Sequence, residues 1–194
     1  MTEGWSKKIY LELLPPTEED NRSDSERILD GLRESGQLKE EKIRISPSVL
    51  RKFSVICDEA QWKITVTLGF DGTGWEITDV ECCDTTSYHY GLCADLGSTT
   101  MVMELVDMNS GEVVERETIF NPQTAFGGDI LTRIFYTKDK EEHREQLRRA
   151  TADGFCELME KLEKKTGIDV KKCAAMIVAG NTAMIHFLFG MDAF

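Results

Sequence analysis

Tyr90-Gly91-Leu92-Cys93-Ala94-Asp95-Leu96-Gly97-Ser98-Thr99-Thr100 runs from a short apolar strand into a turn of small residues. Met101-Val102-Met103-Glu104-Leu105-Val106-Asp107 follows at once and reads as the return strand. A strand, an acidic residue, a small-residue turn and an antiparallel return make a phosphate cradle. Glycine lets the backbone approach a ligand, successive N–H groups point at phosphate oxygens, and hydroxyls add donors. Asp95, just before the turn, is placed to hold a metal-bound water beside the phosphates.

Working outward from this stretch, Asn109-Ser110-Gly111 turns the chain into Glu112 to Phe120, which gives three consecutive antiparallel strands. Asn121 to Asp129 is a loop rich in turn formers, and Ile130 to Tyr136 starts a helix. Glu141 to Thr166 is the longest amphipathic helix. Leu147, Ala150, Phe155, Leu158 and Leu162 share one face, and Gly167 is its stop. The charged residues 138–145 read as its solvated start. Cys173 to Ala179 is wholly apolar, a strand of the kind buried in a mixed sheet. Gly180-Asn181-Thr182 then leads into the helical run Ala183 to Phe189.

The residues ahead of the decisive stretch have a different character. Lys8 to Leu14 reads as a strand stopped by Pro15-Pro16, and residues 17–23 as a polar linker. Asp24 or Ser25 is expected to cap a helix over Glu26 to Glu34, with Ile28, Leu29 and Leu32 as its apolar stripe and Gly36 ending it. Ser46-Pro47 opens a second, shorter helix carrying Val49, Leu50 and Phe53. Trp62 to Leu68 alternates as a half-buried strand does, and Asp71-Gly72-Thr73-Gly74 joins it in a hairpin to Trp75–Val80. Trp5, Trp62 and Trp75 are expected to pack this unit. The reading is an α/β chain, α+β overall: a small α+β domain over residues 1–88, then a second unit over 89–194 that carries the phosphate turn.

Composition bounds the function. The net charge of −12 argues against a grip on nucleic acid, and neither half reverses it. Residues 1–88 carry 11 basic and 18 acidic groups, the remainder 12 and 17. No apolar run approaches the roughly 20 residues that cross a bilayer, and residues 1–8 lack the apolar core of a signal peptide. The expected compartment is the cytoplasm, with no membrane partner. The six cysteines fit reduced cytosolic thiols; none forms a C-x-x-C pair. The three histidines have no second ligand at metal spacing, and His186 reads as a satisfied core or interface residue.

The motif Gly91 to Thr100 resembles the first phosphate motif of the acetate and sugar kinase, heat-shock chaperone and actin superfamily. Asn121-Pro122-Gln123 with Gly127-Gly128-Asp129-Ile130-Leu131-Thr132-Arg133-Ile134, and Val178 to His186, are similar to the ATP-dependent reductive activators of corrinoid proteins. Residues 7–16 and 62–66 resemble the linker and middle region of that family. The resemblance implies an actin-like, ribonuclease H-like lobe that uses ATP to help push an electron onto an inactivated cobalt(II) corrinoid and so restore cobalt(I) for methyl transfer. It implies ATP and Mg2+ as cofactors, Asp95 holding the metal through water, and a corrinoid iron–sulfur protein or methyltransferase corrinoid subunit as partner. A 2Fe-2S cluster is expected in the family, yet no ligands for it lie in this chain. The second phosphate loop and the adenosine site are also absent from it, so the chain is expected to be a piece of a larger ATPase.

Asp95, Gly97, Ser98, Thr99 and Thr100 match the phosphate turn, with Ser98 where the family usually has threonine. The alternative is a plain hairpin turn. Asn181 and Thr182 follow a strand's carboxyl end, where α/β sheets present ligand loops, but either residue equally serves as a helix cap. Gln123 and Asp129 lie in a loop that faces the cleft on this reading; for Asp129 the alternative is again capping. No general base is identified. Two rival functions stay open: a small-molecule kinase of the same superfamily, and a non-catalytic module that docks a partner. An incomplete lobe also predicts exposed apolar surface on the strand of residues 173–179, and with it self-association or a homodimer.

Overall fold

The computed structural model describes residues 4–38 and 42–194 and divides into two compact units, Met1–His89 and Tyr90–Phe194. In the first unit, β1 (Ser6–Glu12), α1 (Asp24–Glu34), β2 (Ile43–Ile45), α2 (Pro47–Glu59), β3 (Lys63–Phe70) and β4 (Trp75–Cys82) follow in order. The sheet order is β1-β3-β4-β2, antiparallel except for the parallel β2–β4 pair. Ser23, not Asp24 or Ser25, caps α1. Its hydroxyl accepts from the Glu26 backbone N–H while the Glu26 carboxylate accepts from the Ser23 N–H at 2.8 Å, a reciprocal pair that satisfies two otherwise free donors. Ser46 caps α2, which at 13 residues is longer than α1 rather than shorter. Val49 and Phe53 are buried, but Leu50 is half exposed.

Ile64, Val66 and Leu68 on β3 pack with Ile28, Leu32, Val49 and Phe53 from the two helices. The opposite face of the sheet is covered at its centre as well, which corrects the half-buried expectation for β3: Thr65 and Thr67 are also buried, while Glu12 and Lys63 at its rim stay exposed. Residues after β4 account for part of this. The Thr65 hydroxyl donates to the Cys83 carbonyl at 2.6 Å and accepts from the Thr85 N–H at 2.9 Å. Lys8, its side chain almost wholly covered, pairs with Glu81, and Ser6 meets the buried His89 ring at 3.0 Å. Trp62 and Trp75 are core residues, whereas Trp5 is 70% exposed, because only its backbone carbonyl joins the sheet, accepting from Phe70 N–H.

The second unit holds β5 (Tyr90–Leu96), β6 (Thr100–Asp107), β7 (Glu112–Phe120), a short 3-10 helix (Pro122–Phe126), α3 (Ile130–Thr137), α4 (Glu141–Thr166), β8 (Ala175–Gly180) and α5 (Thr182–Leu188). Its sheet order is β7-β6-β5-β8, with β8 parallel to β5. One face carries Leu92, Ala94, Leu96, Met101, Met103 and Leu105, which pack with Leu147, Phe155, Leu158 and Leu162 of α4 and with Met184 and Phe187 of α5. Gly154 permits the close approach: a β-carbon there would stand 2.8 Å from the Met101 sulfur. Gly167 ends α4 in the left-handed conformation that glycine tolerates best. β8, apolar throughout like a strand buried in a mixed sheet, lies instead at the sheet edge, and Met176 and Ile177 are 37% and 54% exposed, the exposed apolar surface expected of an incomplete lobe.

Candidate functional site

β5 and β8 are parallel neighbours in register, Leu96 opposite Gly180, so the turns that follow them emerge side by side at one end of the sheet. Close packing enforces this. A β-carbon on Gly180 would stand 3.1 Å from the Leu96 carbonyl oxygen, and one on Gly97 would stand 2.5 Å from that of Thr100. The two turn segments named from sequence, Gly97–Thr100 and Asn181-Thr182, are thereby brought together.

Asp95 sits one residue before the end of β5. Strand alternation puts it on the face opposite Ala94 and Leu96, where it is exposed with Val102 and Ala179 as cross-strand neighbours. It lines a shallow depression of about 230 Å³ with Cys93, Glu104, Arg116 and Ile177. No ion pair or side-chain hydrogen bond occupies the Asp95 carboxylate among the described residues. Ser98 is half-buried, while Thr99, Thr100 and Thr182 are exposed. Hard oxygen donors of this kind suit Mg2+, which commonly takes one carboxylate and completes its shell with water and phosphate oxygens.

The remaining predicted residues are engaged by the protein itself. Asn181 caps α5, its side-chain oxygen accepting from the Met184 N–H at 3.1 Å. Asp129 caps α3, accepting from the Thr132 N–H at 2.9 Å and hydroxyl at 2.8 Å, and these bonds hold its carboxyl below the usual carboxylate range. Gln123 does not face an open cleft. It is fully buried, its amide donating to the Leu147 carbonyl at 3.1 Å and to the Thr151 hydroxyl at 2.6 Å.

Two residues outside the predicted set complete the region. Asn121, fully buried at the end of β7, donates from its side-chain nitrogen to the Gly97 carbonyl at 2.8 Å. Its backbone N–H donates to the Thr99 carbonyl at 2.8 Å, and its side-chain oxygen accepts from the Gln123 N–H at 2.9 Å. An asparagine before a proline that opens a helical turn is a capping signal, and it was the available clue. Arg133 is buried too. Its Nε donates to the Gly127 carbonyl at 2.8 Å, Nη1 lies 3.5 Å from the Gln123 oxygen, and Nη2 has no partner among the described residues. Burial pushes its pKa down. Each histidine has a local partner: His89 with Ser6, His143 with the Tyr136 carbonyl at 2.8 Å, and His186 with the Asp192 carbonyl at 2.7 Å.

A larger cavity of about 310 Å³ lies in the first unit between β1 and α1. Its arginines are taken up by neighbouring carboxylates, Arg22 by Asp20 and Asp30 and Arg27 by Asp20, and it contains none of the predicted site residues.

Comparison with known proteins accounts for both units. A family model described as RACo linker region matches residues 5–87, and one described as RACo middle region matches residues 90–194, more than half of the chain. The chain belongs to the reductive activators of corrinoid proteins. This activator chain is 31% identical over 103 residues to the corrinoid activation enzyme RamQ of Eubacterium limosum, covering 53% of the chain and 17% of that relative. It superimposes on a solved reductive activator for corrinoid, iron-sulfur protein with a TM-score of 0.85 and 29% identity, over 98% of the chain and 30% of that structure. The chain thus spans less than a third of either relative's length. The family models name the first unit linker and the second middle region.

Proposed function

We propose that this chain carries the leading phosphate-binding elements of an ATP-dependent activator that returns a corrinoid protein's cobalt to the cobalt(I) state. The single observation that carries this reading is the convergence at one sheet end of the Gly97–Thr100 turn, the Asn181-Thr182 turn and the unoccupied carboxylate of Asp95, in a chain of this family. The turn's amides and hydroxyls would bind phosphate oxygens, and Asp95 would hold Mg2+ through water. Bound Mg2+ supplies charge neutralisation at the phosphates. Thr182, at the first turn of α5, would add a hydroxyl from the neighbouring strand end. Asn181 would act by fixing that helix start, and Asp129 and Gln123 by fixing the loop and helix behind it.

In the longer protein, closure of a second lobe on this one would couple hydrolysis to docking on a corrinoid iron–sulfur protein or a methyltransferase corrinoid subunit. The cytoplasm suits that chemistry, and among the described residues no helix is long and apolar enough to cross a membrane. The free edge of β8 supports self-association of the chain as it stands. A 2Fe-2S cluster does not fit the residues present: among those described, no group of three or more His, Cys, Asp or Glu side chains could hold a metal.

Asp95→Ala in the longer protein is expected to abolish ATP-dependent cobalt reduction while leaving the protein folded, as read by the corrinoid absorbance spectrum. An unchanged reduction rate would sink the assignment of the turn. Phosphate released to water supports the activator; phosphate retained on a small molecule would replace it with a kinase.

A further inference from the structure

We infer that Asn121 is a positioning residue that sets the direction of two backbone N–H groups in the Gly97–Thr100 turn. The inference rests on the phosphate reading of that turn and concerns a residue that contacts no ligand itself.

The argument starts from peptide geometry. In a trans peptide the carbonyl and the following N–H point in opposite directions, and this chain has no cis peptide among its described residues. Asn121 draws the Gly97 carbonyl toward itself with its side-chain nitrogen and the Thr99 carbonyl with its backbone N–H, both at 2.8 Å. The Ser98 and Thr100 N–H groups belong to those same two peptide planes, so both are directed away from Asn121. Fixing two carbonyls inward therefore fixes two donors outward.

Asn121 is in turn over-determined. Its side-chain oxygen accepts from the Gln123 N–H, and its carbonyl accepts from the Thr124 N–H at 3.0 Å and hydroxyl at 2.8 Å. Gln123 is anchored on α4 through Leu147 and Thr151. The turn is thus tied to the longest helix of the unit through two fully buried side chains, Asn121 and Gln123. A glycine-containing turn without such a tie has several peptide orientations open to it, and anion affinity falls by the fraction of time spent in the wrong ones.

The test is an amide-resolved NMR titration of this chain with Mg-ATP, comparing the natural sequence with Asn121→Asp and Asn121→Ala. The aspartate keeps the acceptor for Gln123 and replaces the donor to Gly97 with an oxygen that repels its carbonyl. In the natural chain the Ser98, Thr100 and Thr182 amides are expected to shift together on titration. In both variants the Ser98 and Thr100 response should require at least about tenfold more Mg-ATP, with the amides of α4 and β6 keeping their natural positions. Equal affinities in all three chains would overturn the role of Asn121 and leave the phosphate reading standing. No response at Ser98, Thr100 or Thr182 in the natural chain would overturn the phosphate reading itself.

Should neither variant fold, hydrogen exchange in the natural chain decides. A Ser98 N–H that exchanges freely until Mg-ATP is added, beside an Asn121 side-chain amide that exchanges slowly, supports the inference. A protected Ser98 N–H in the free protein overturns it.

Discussion

The two units solve the same packing problem differently. Each has a four-stranded sheet with helices on one face, but the first also covers the centre of the other face, and the second leaves it open. In the first unit the covered centre holds polar groups that pair with one another: Lys8 with Glu81, Thr65 with Cys83 and Thr85, Ser6 with His89. In the second unit the equivalent surface keeps Cys93, Asp95 and Ile177 exposed. Burial demands that polar groups be satisfied internally, which leaves them unavailable for ligands. The open sheet is where an unoccupied carboxylate persists, and the candidate site lies there.

Thiol chemistry offers the largest effect by which to break this comparison. Cys57 is fully buried in the first unit, and burial pushes its thiol up to about 12, whereas Cys93 is exposed on the open face. Iodoacetamide at pH 8 is expected to label Cys93 about a thousandfold faster than Cys57 in the folded chain, followed by mass spectrometry of the peptides. Because the folded thiol's pKa is raised, its contribution to stability is fully present below the unfolded value. It is lost as pH climbs toward 12. Comparable labelling rates would mean the first unit is not closed.

Next in size is a matched pair of truncations. Ile64→Ala removes a fully buried side chain from β3 and should cost about 3 kcal/mol in urea denaturation. Ile177→Ala on β8, where the side chain is half exposed, should cost less than about 1 kcal/mol. Similar losses at both positions would show the face of β8 to be covered in solution, as self-association would do.

Ion pairs should give the smallest effect. Glu81→Ala strands the covered Lys8 ammonium and is expected to cost about 2 kcal/mol. Glu104→Ala frees Arg116, whose side chain is 63% exposed across a 3.4 Å contact, and should fall within about 0.5 kcal/mol of the natural chain. Equal values would remove the distinction between a sealed and an open second face.

Self-contained local signals specify part of the fold. The α4 stripe and its glycine stop, the β3–β4 hairpin and the β5–β6 turn all depend on residues within a few positions of one another, and all formed as expected. Expectation and structure differ where a distant segment intervenes. The strand β2 is only three residues long and exists because β4 offers it an edge. Thr65 looks solvent-facing by alternation until Cys83 and Thr85, beyond β4, bond its hydroxyl. Gln123 sits in a loop of turn formers yet is wholly buried, because the 3-10 helix that bears it lies against α4.

Sequence by itself determined the chemistry on offer: a carboxylate, a glycine and three hydroxyls in one turn, and a second polar turn some eighty residues on. Residue type and short-range spacing fix donors, acceptors and conformational freedom, and these are properties of the chain before it folds. Tertiary structure alone decided which of them meet and which remain available. The parallel pairing of β5 with β8 set Asn181 and Thr182 beside the Gly97 turn, and the unlaid second face kept Asp95 free. It also made Asn121 the residue that holds the turn, since a hydrogen bond spanning 24 positions carries no local signature.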